Sequence, residues 1–110
     1  MFQDVWYQTR KNAIQFRLST DGKAIAKHIA KAYVFRVDGD HDRELVEAKL
    51  ALKHTRQVLN QAPGHSESVN WLFEDFFSSG EQHYQQLDEA FSNEMRDLGE
   101  KFGLGGTLWW

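Results

Sequence analysis

The chain has no cysteine and a single proline, Pro63, among its 110 residues. Without cysteine there is no disulfide and no thiol chemistry, and the composition fits a reducing cytoplasm, the compartment expected here. No apolar run approaches the roughly 18 residues that a bilayer crossing needs. The start, MFQDVWYQTRKN, carries Asp4 and lacks the continuous apolar stretch of a secretion signal, so neither targeting nor membrane contact is expected. Local motifs of catalysis are missing too. There is no nucleophile elbow, phosphate-binding glycine loop or dinucleotide fingerprint, and Gly99, Gly103, Gly105 and Gly106 follow a predicted helix instead of opening one. No cofactor is expected, and a non-enzymatic role is favoured.

What is present is 41% hydrophobic and 14% aromatic, enough for one globular domain spanning residues 1–110. A chain of this size buries roughly two-thirds of its unfolded surface on folding. The net charge of −3 conceals an asymmetry: residues 1–37 carry seven Lys and Arg against two acids, and residues 38–110 carry six against fourteen. The two parts either attract each other within the fold or recognise other molecules.

The stretch that organises the chain is Asp42 to Gln61, read as one long helix. Leu45, Ala48, Leu52, Thr55 and Leu59 share a stripe, while Val46 and Leu50 lie on a second side, so contact from two directions is expected. Before it, Val5–Tyr7 and Ile14–Leu18 are expected to form a hairpin, since Ile14, Phe16 and Leu18 alternate with Gln15 and Arg17. The rival is a helical stripe through Phe2, Val5, Trp6, Thr9, Ala13 and Phe16. Lys23–Ala32 is expected to be a helix capped by Thr20 or Asp21, the rival being a second hairpin at Asp21-Gly22. Tyr33–Val37, β-branched and aromatic, is expected to be a strand.

After the central helix, Ala62-Pro63-Gly64-His65 makes a corner, and Ser66 opens a segment with Val69, Leu72, Phe73, Phe76 and Phe77 on one stripe. Ser79 and Gln82 have the form of a capping box for a single helix from Glu81 to Phe102, with a narrow stripe through Tyr84, Leu87, Phe91, Met95, Leu98 and Phe102. Gly103 ends it, and two terminal tryptophans follow. The expected fold is α+β: a small N-terminal antiparallel sheet with an inserted helix, packed against three C-terminal helices. An all-α bundle is the alternative.

Asp38-Gly39-Asp40-His41-Asp42-Arg43-Glu44 has the look of a calcium loop but fails at the decisive positions, with Arg43 where glycine belongs and Lys49 where a bidentate glutamate belongs. Histidines at 28, 41, 54, 65 and 83 include no pair three or four residues apart. His41 with Glu44 is the closest local pair, and no metal is expected. Lys23, Lys27 and Lys31, with Arg36 nearby, form a basic stripe suited to phosphate contact, although a solvated helix face is the plainer reading and nucleic acid is not favoured. Trp71 points away from its helix's phenylalanine stripe, as a binding anchor or second packing layer would.

The leading reading is a protein-interaction or regulatory module, homodimeric, whose interface comprises Trp71, Tyr84, Phe91, Met95, Trp109 and Trp110. Acid-rich flanks would select a basic protein partner. A third reading is a pocket between sheet and helices, lined by Trp6, Tyr7, His28 and Tyr33.

Overall fold

The computed structural model describes residues 2–77 and 80–102, with backbone alone for 2–6, 73–77 and 80–82. Among the described residues six α-helices run in order: α1 (Phe2–Leu18), α2 (Thr20–Asp38), α3 (His41–Gln61), α4 (Ser66–Phe77), α5 (Gly80–Leu87) and α6 (Glu89–Phe102), with a 3-10 turn at Pro63–His65. Among the described residues there is no strand, so the expected α+β fold is corrected to an all-α bundle.

The N-terminal hairpin is replaced by α1, along the helical stripe that competed with it. Ala13 and Phe16, three residues apart, are buried together, and the Phe16 ring lies 5.1 Å from that of His65. Ile14 and Leu18 turn outward, whereas a strand would have set Ile14, Phe16 and Leu18 on one face. Burying a side chain such as Phe16 is worth about 1.5–3 kcal/mol, more than the roughly 1 kcal/mol spanned by β-propensity, so packing prevails.

Ser19 separates α1 from α2 in a single residue. Its backbone is extended (φ −72°, ψ 164°), its hydroxyl accepts the Gly22 N–H at 3.1 Å, and the same hydroxyl donates to the Phe16 carbonyl. The cap is therefore Ser19 and not Thr20 or Asp21, and α2 starts earlier than predicted. Gly22 belongs to this crossing, because a Cβ there would lie 1.9 Å from the Phe16 carbonyl oxygen.

The predicted strand Tyr33–Val37 is instead the end of α2. Helical β-branched residues cost only a few tenths of a kcal/mol each, and this end is closed by Gly39 at φ 77°. Gly39 N–H bonds to Arg36 O at 3.1 Å and Asp40 N–H to Phe35 O at 2.9 Å, the paired bonds of a Schellman motif. Asp40 then caps α3, its carboxylate accepting the Arg43 N–H at 3.3 Å. A two-residue connection forces α2 and α3 antiparallel, and they form the most extensive helix pair. Asp21 meets His54 at 3.0 Å, His28 meets Glu47 at 2.6 Å and Arg36 meets Glu44 at 3.0 Å along the seam.

Ala48, Leu52, Thr55 and Leu59 of the predicted stripe are fully buried, and Leu45 packs against the same core. Val46 and Leu50 face outward, so that side of α3 is not covered as expected. The long C-terminal helix is broken at Asp88, whose carboxylate accepts the Phe91 N–H at 3.1 Å and holds Lys49 Nζ at 2.9 Å. The Lys49 hydrogen bond, then the Phe91 N–H, lowers the Asp88 carboxyl below its ordinary range. Arg56 meets Asp97 at 3.3 Å and Glu94 at 3.7 Å further along, so α6 runs parallel to α3. Among the described residues no helix is long and apolar enough to cross a membrane.

Replacing Gly22 with alanine would drive a methyl into backbone that cannot rotate aside. Gly22→Ala is expected to lower stability by about 2 kcal/mol or more, read as a reduced urea midpoint with an unchanged slope.

Candidate functional site

Two places on the bundle concentrate chemistry. The first is an open groove where α1, α2 and α4 meet. Ala13, Ala26 and Ala30 keep its walls low, and Ile14, Ile29, Tyr33, Val34, Trp71 and Leu72 line it with Arg17, enclosing a volume of about 560 Å³. Apolar side chains stand open to solvent here: Ile14 is 54% exposed, Tyr33 55%, Val34 56% and Trp71 39%. Four such residues on one concave surface differ from the scattered exposed hydrophobics of an ordinary monomer. At 100° per residue, Lys23, Lys27 and Lys31 follow the outer edge of α2 beside Ala30 and Val34, and all three are exposed. Arg17 is in the groove, and Arg10 and Lys11 flank Ile14 on α1. The groove is thus apolar inside, with basic residues along its α1 and α2 sides.

The second place is a buried carboxylate. Glu44, in the first turn of α3, is entirely shielded from solvent. Its Oε2 accepts from Arg36 Nε at 3.0 Å; His41 Nδ1 lies 2.9 Å from Oε1, and His83 Nε2 lies 2.8 Å from Oε2 and 3.0 Å from Oε1. Tyr84 adds its hydroxyl to the same carboxylate and accepts from Arg36 Nη2 at 3.0 Å. An ionised carboxylate has about four acceptor positions, and four donors meet them here. Burial raises the Glu44 pKa, but hydrogen bonds from His41, Arg36, His83 and Tyr84 together outweigh it and hold the carboxyl below its ordinary 4.5. Burial pushes the Tyr84 hydroxyl well above its usual range, so it stays protonated. The rings are layered as well: His41 and His83 lie 5.3 Å apart, His83 and Tyr84 5.0 Å, and Tyr84 and Phe91 5.0 Å, each pair edge to face.

The predicted site residues divide between these places and the core. Trp71 and Tyr33 come together in the groove, with the lysines beside them. Tyr84 of α5 and Phe91 and Met95 of α6 are buried in the chain's own core, where α5 and α6 pack on each other and α6 packs on α3. Arg36 is tied into the Glu44 cluster and stands apart from the lysine stripe. Of the predicted pocket residues, Tyr7 sits on exposed α1 surface and His28 is engaged with Glu47, so without a sheet the pocket does not form as drawn. The Trp6 side chain and Trp109 and Trp110 lie outside the described residues.

From the sequence, His41 with Glu44 is only a weak local pair and His83 one of five scattered histidines; the joining of His83 to that pair is what the structure adds. Glu44 stands four residues before Ala48, which puts a carboxylate on the buried stripe, and that signal was readable. His83 carried no signal. It lies on a different helix, 39 residues away, and only packing brings it to Glu44.

No protein-family model matches the sequence, and searches of curated proteins and of solved structures give no significant match.

Glu44→Gln would set an amide against donors and leave Arg36 without its countercharge. A loss of about 3 kcal/mol is expected from urea unfolding at pH 7. Because the folded-state pKa is lowered, the carboxylate's contribution is complete above the ordinary 4.5, declines as the pH falls below it, and is gone once the pH has passed the folded-state value. The variant is expected to show a flatter stability profile across that acidic window.

Proposed function

We propose that the chain is a non-enzymatic protein-interaction module whose contact surface is the basic-rimmed groove between α1, α2 and α4. The observation that carries this reading is the exposure of Ile14, Tyr33, Val34 and Trp71 on one concave surface. Large aromatics left open beside aliphatic residues, with cations around them, supply apolar anchoring at the centre and charge selection at the edge.

The partner that fits is an acidic amphipathic helix from another protein. Its apolar face would lie along the groove, and its acids would meet Arg17, Lys23 and Lys27. This reverses the polarity expected from the acid-rich C-terminal segment. Tyr84, Phe91 and Met95 of that segment are engaged in the core, and part of its charge is paired with Lys49 and Arg56. A symmetric dimer through the groove would set two basic rims face to face, so a second copy fits less well than a different chain. The lysine stripe also offers a phosphate contact, but it lies beside an apolar groove, which suits a protein helix better than a phosphate backbone. The lack of cysteine makes a reducing cytoplasm the setting of this proposal.

Three designed helical peptides with one shared apolar face and acidic, neutral or basic flanks test the reading by titration calorimetry. The acidic peptide is expected to bind tightest, to weaken as salt screens the rim, and to lose about tenfold or more in affinity with either Tyr33→Ala or Trp71→Ala. Equal affinity for the three peptides, or binding that survives both substitutions, would reject the assignment.

A further inference from the structure

The Glu44 cluster is independent of the groove, and its donor set has a chemistry of its own. Among the described residues, one group of histidine and carboxylate side chains converges closely enough to share an ion: His41, Glu44 and His83, whose ligand atoms lie within 4.8 Å of one another. We propose that these three residues bind a divalent transition-metal ion of the zinc type through His41 Nδ1, His83 Nε2 and one oxygen of Glu44.

Zinc takes imidazole nitrogen and carboxylate oxygen at about 2.0–2.2 Å, so tetrahedral ligand atoms stand about 3.2–3.5 Å apart. The nitrogen-to-oxygen separations of 2.8 to 3.0 Å need to widen by only a few tenths of an ångström. The two histidine nitrogens, no more than 4.8 Å apart, need to draw inward, which ring rotation supplies. Two imidazoles and one carboxylate suit zinc, cobalt or nickel, whereas calcium and magnesium take oxygen donors. Arg36 on Oε2 is an outer partner that fixes the carboxylate plane and leaves Oε1 toward His41. His41 is half exposed while Glu44 is buried, so an ion enters past His41 and keeps water on that side. The charge of Arg36, which balances Glu44 when no ion is bound, opposes that of the ion and holds the affinity to a moderate level.

The geometry also dictates which ring atoms carry hydrogen. Facing an ionised carboxylate, each ring must present N–H, which places a hydrogen on Nδ1 of His41 and on Nε2 of His83. An ion needs the lone pairs of those same nitrogens. Binding therefore leaves hydrogen only on Nε2 of His41 and on Nδ1 of His83.

Nitrogen-15 spectra of the histidine rings in the unaltered chain, recorded during titration with zinc chloride at neutral pH, test the site directly. Both His41 and His83 are expected to lose the hydrogen facing Glu44 together, while His28, His54 and His65 keep their signals. His83→Gln is expected to weaken zinc binding by at least about tenfold, and His54→Gln to leave it unchanged. Unshifted His41 and His83 rings would show that the cluster is a hydrogen-bonded carboxylate and nothing more. Shifts confined to His28 beside Glu47 or His54 beside Asp21 would show only adventitious surface binding. Either result overturns the proposal.

Discussion

The bundle depends on one buried carboxylate. Removing Glu44 from water carries a cost of several kcal/mol unless donors replace the lost solvent. Those donors come from three helices: Arg36 from α2, His41 from α3 itself, and His83 and Tyr84 from α5. Satisfying Glu44 therefore fixes the end of α2 against the start of α3 and brings α5 onto both. The two-residue turn at Gly39-Asp40 makes this economical, since it delivers Arg36 and Glu44 to the same place with little chain between them.

Once α5 is held there, the aromatic layer follows. Tyr84 places its hydroxyl in the polar cluster and its ring edge to face against Phe91, which begins the buried stripe of α6. Asp88 turns the chain between them, and on α3 Lys49 holds Asp88 while Arg56 holds Glu94 and Asp97 of α6. Exposed pairs of this kind contribute at most about 1 kcal/mol each, so they set direction more than they supply stability. The opposite side of α2 is left to α1 and α4, whose contact is less extensive, and there the apolar groove stays open.

The asymmetric charge of the chain has a similar division. Arg36, although in the basic N-terminal part, is spent inside the fold on Glu44, while Lys23, Lys27 and Lys31 remain at the surface. Part of the acid of the C-terminal segment is paired with basic residues of α3, which come from that segment as well. The surplus positive charge is therefore displayed at the groove and not neutralised by the acidic half as a block.

Much of the helical content was legible. The stripe of α3 and the corner at Pro63 followed from local spacing and turn chemistry, which a single segment contains. The first eighteen residues carried both a helical and an alternating pattern, and residues 33–37 had β-branched side chains that favour a strand when considered alone. Only the partners could decide these cases: Phe16 found a buried surface, and Arg36 found Glu44. The break at Asp88 was hidden for the same reason, since an aspartate within a helical pattern becomes a cap only when the chain must turn. Local spacing thus determined where most helices could form and marked the Ala48–Leu52–Thr55–Leu59 stripe of α3 as apolar. Tertiary packing decided which residues of distant helices meet, and so made both the groove and the His41–Glu44–His83 cluster, because proximity in space between residues 39 positions apart is a property of the folded chain and not of any segment.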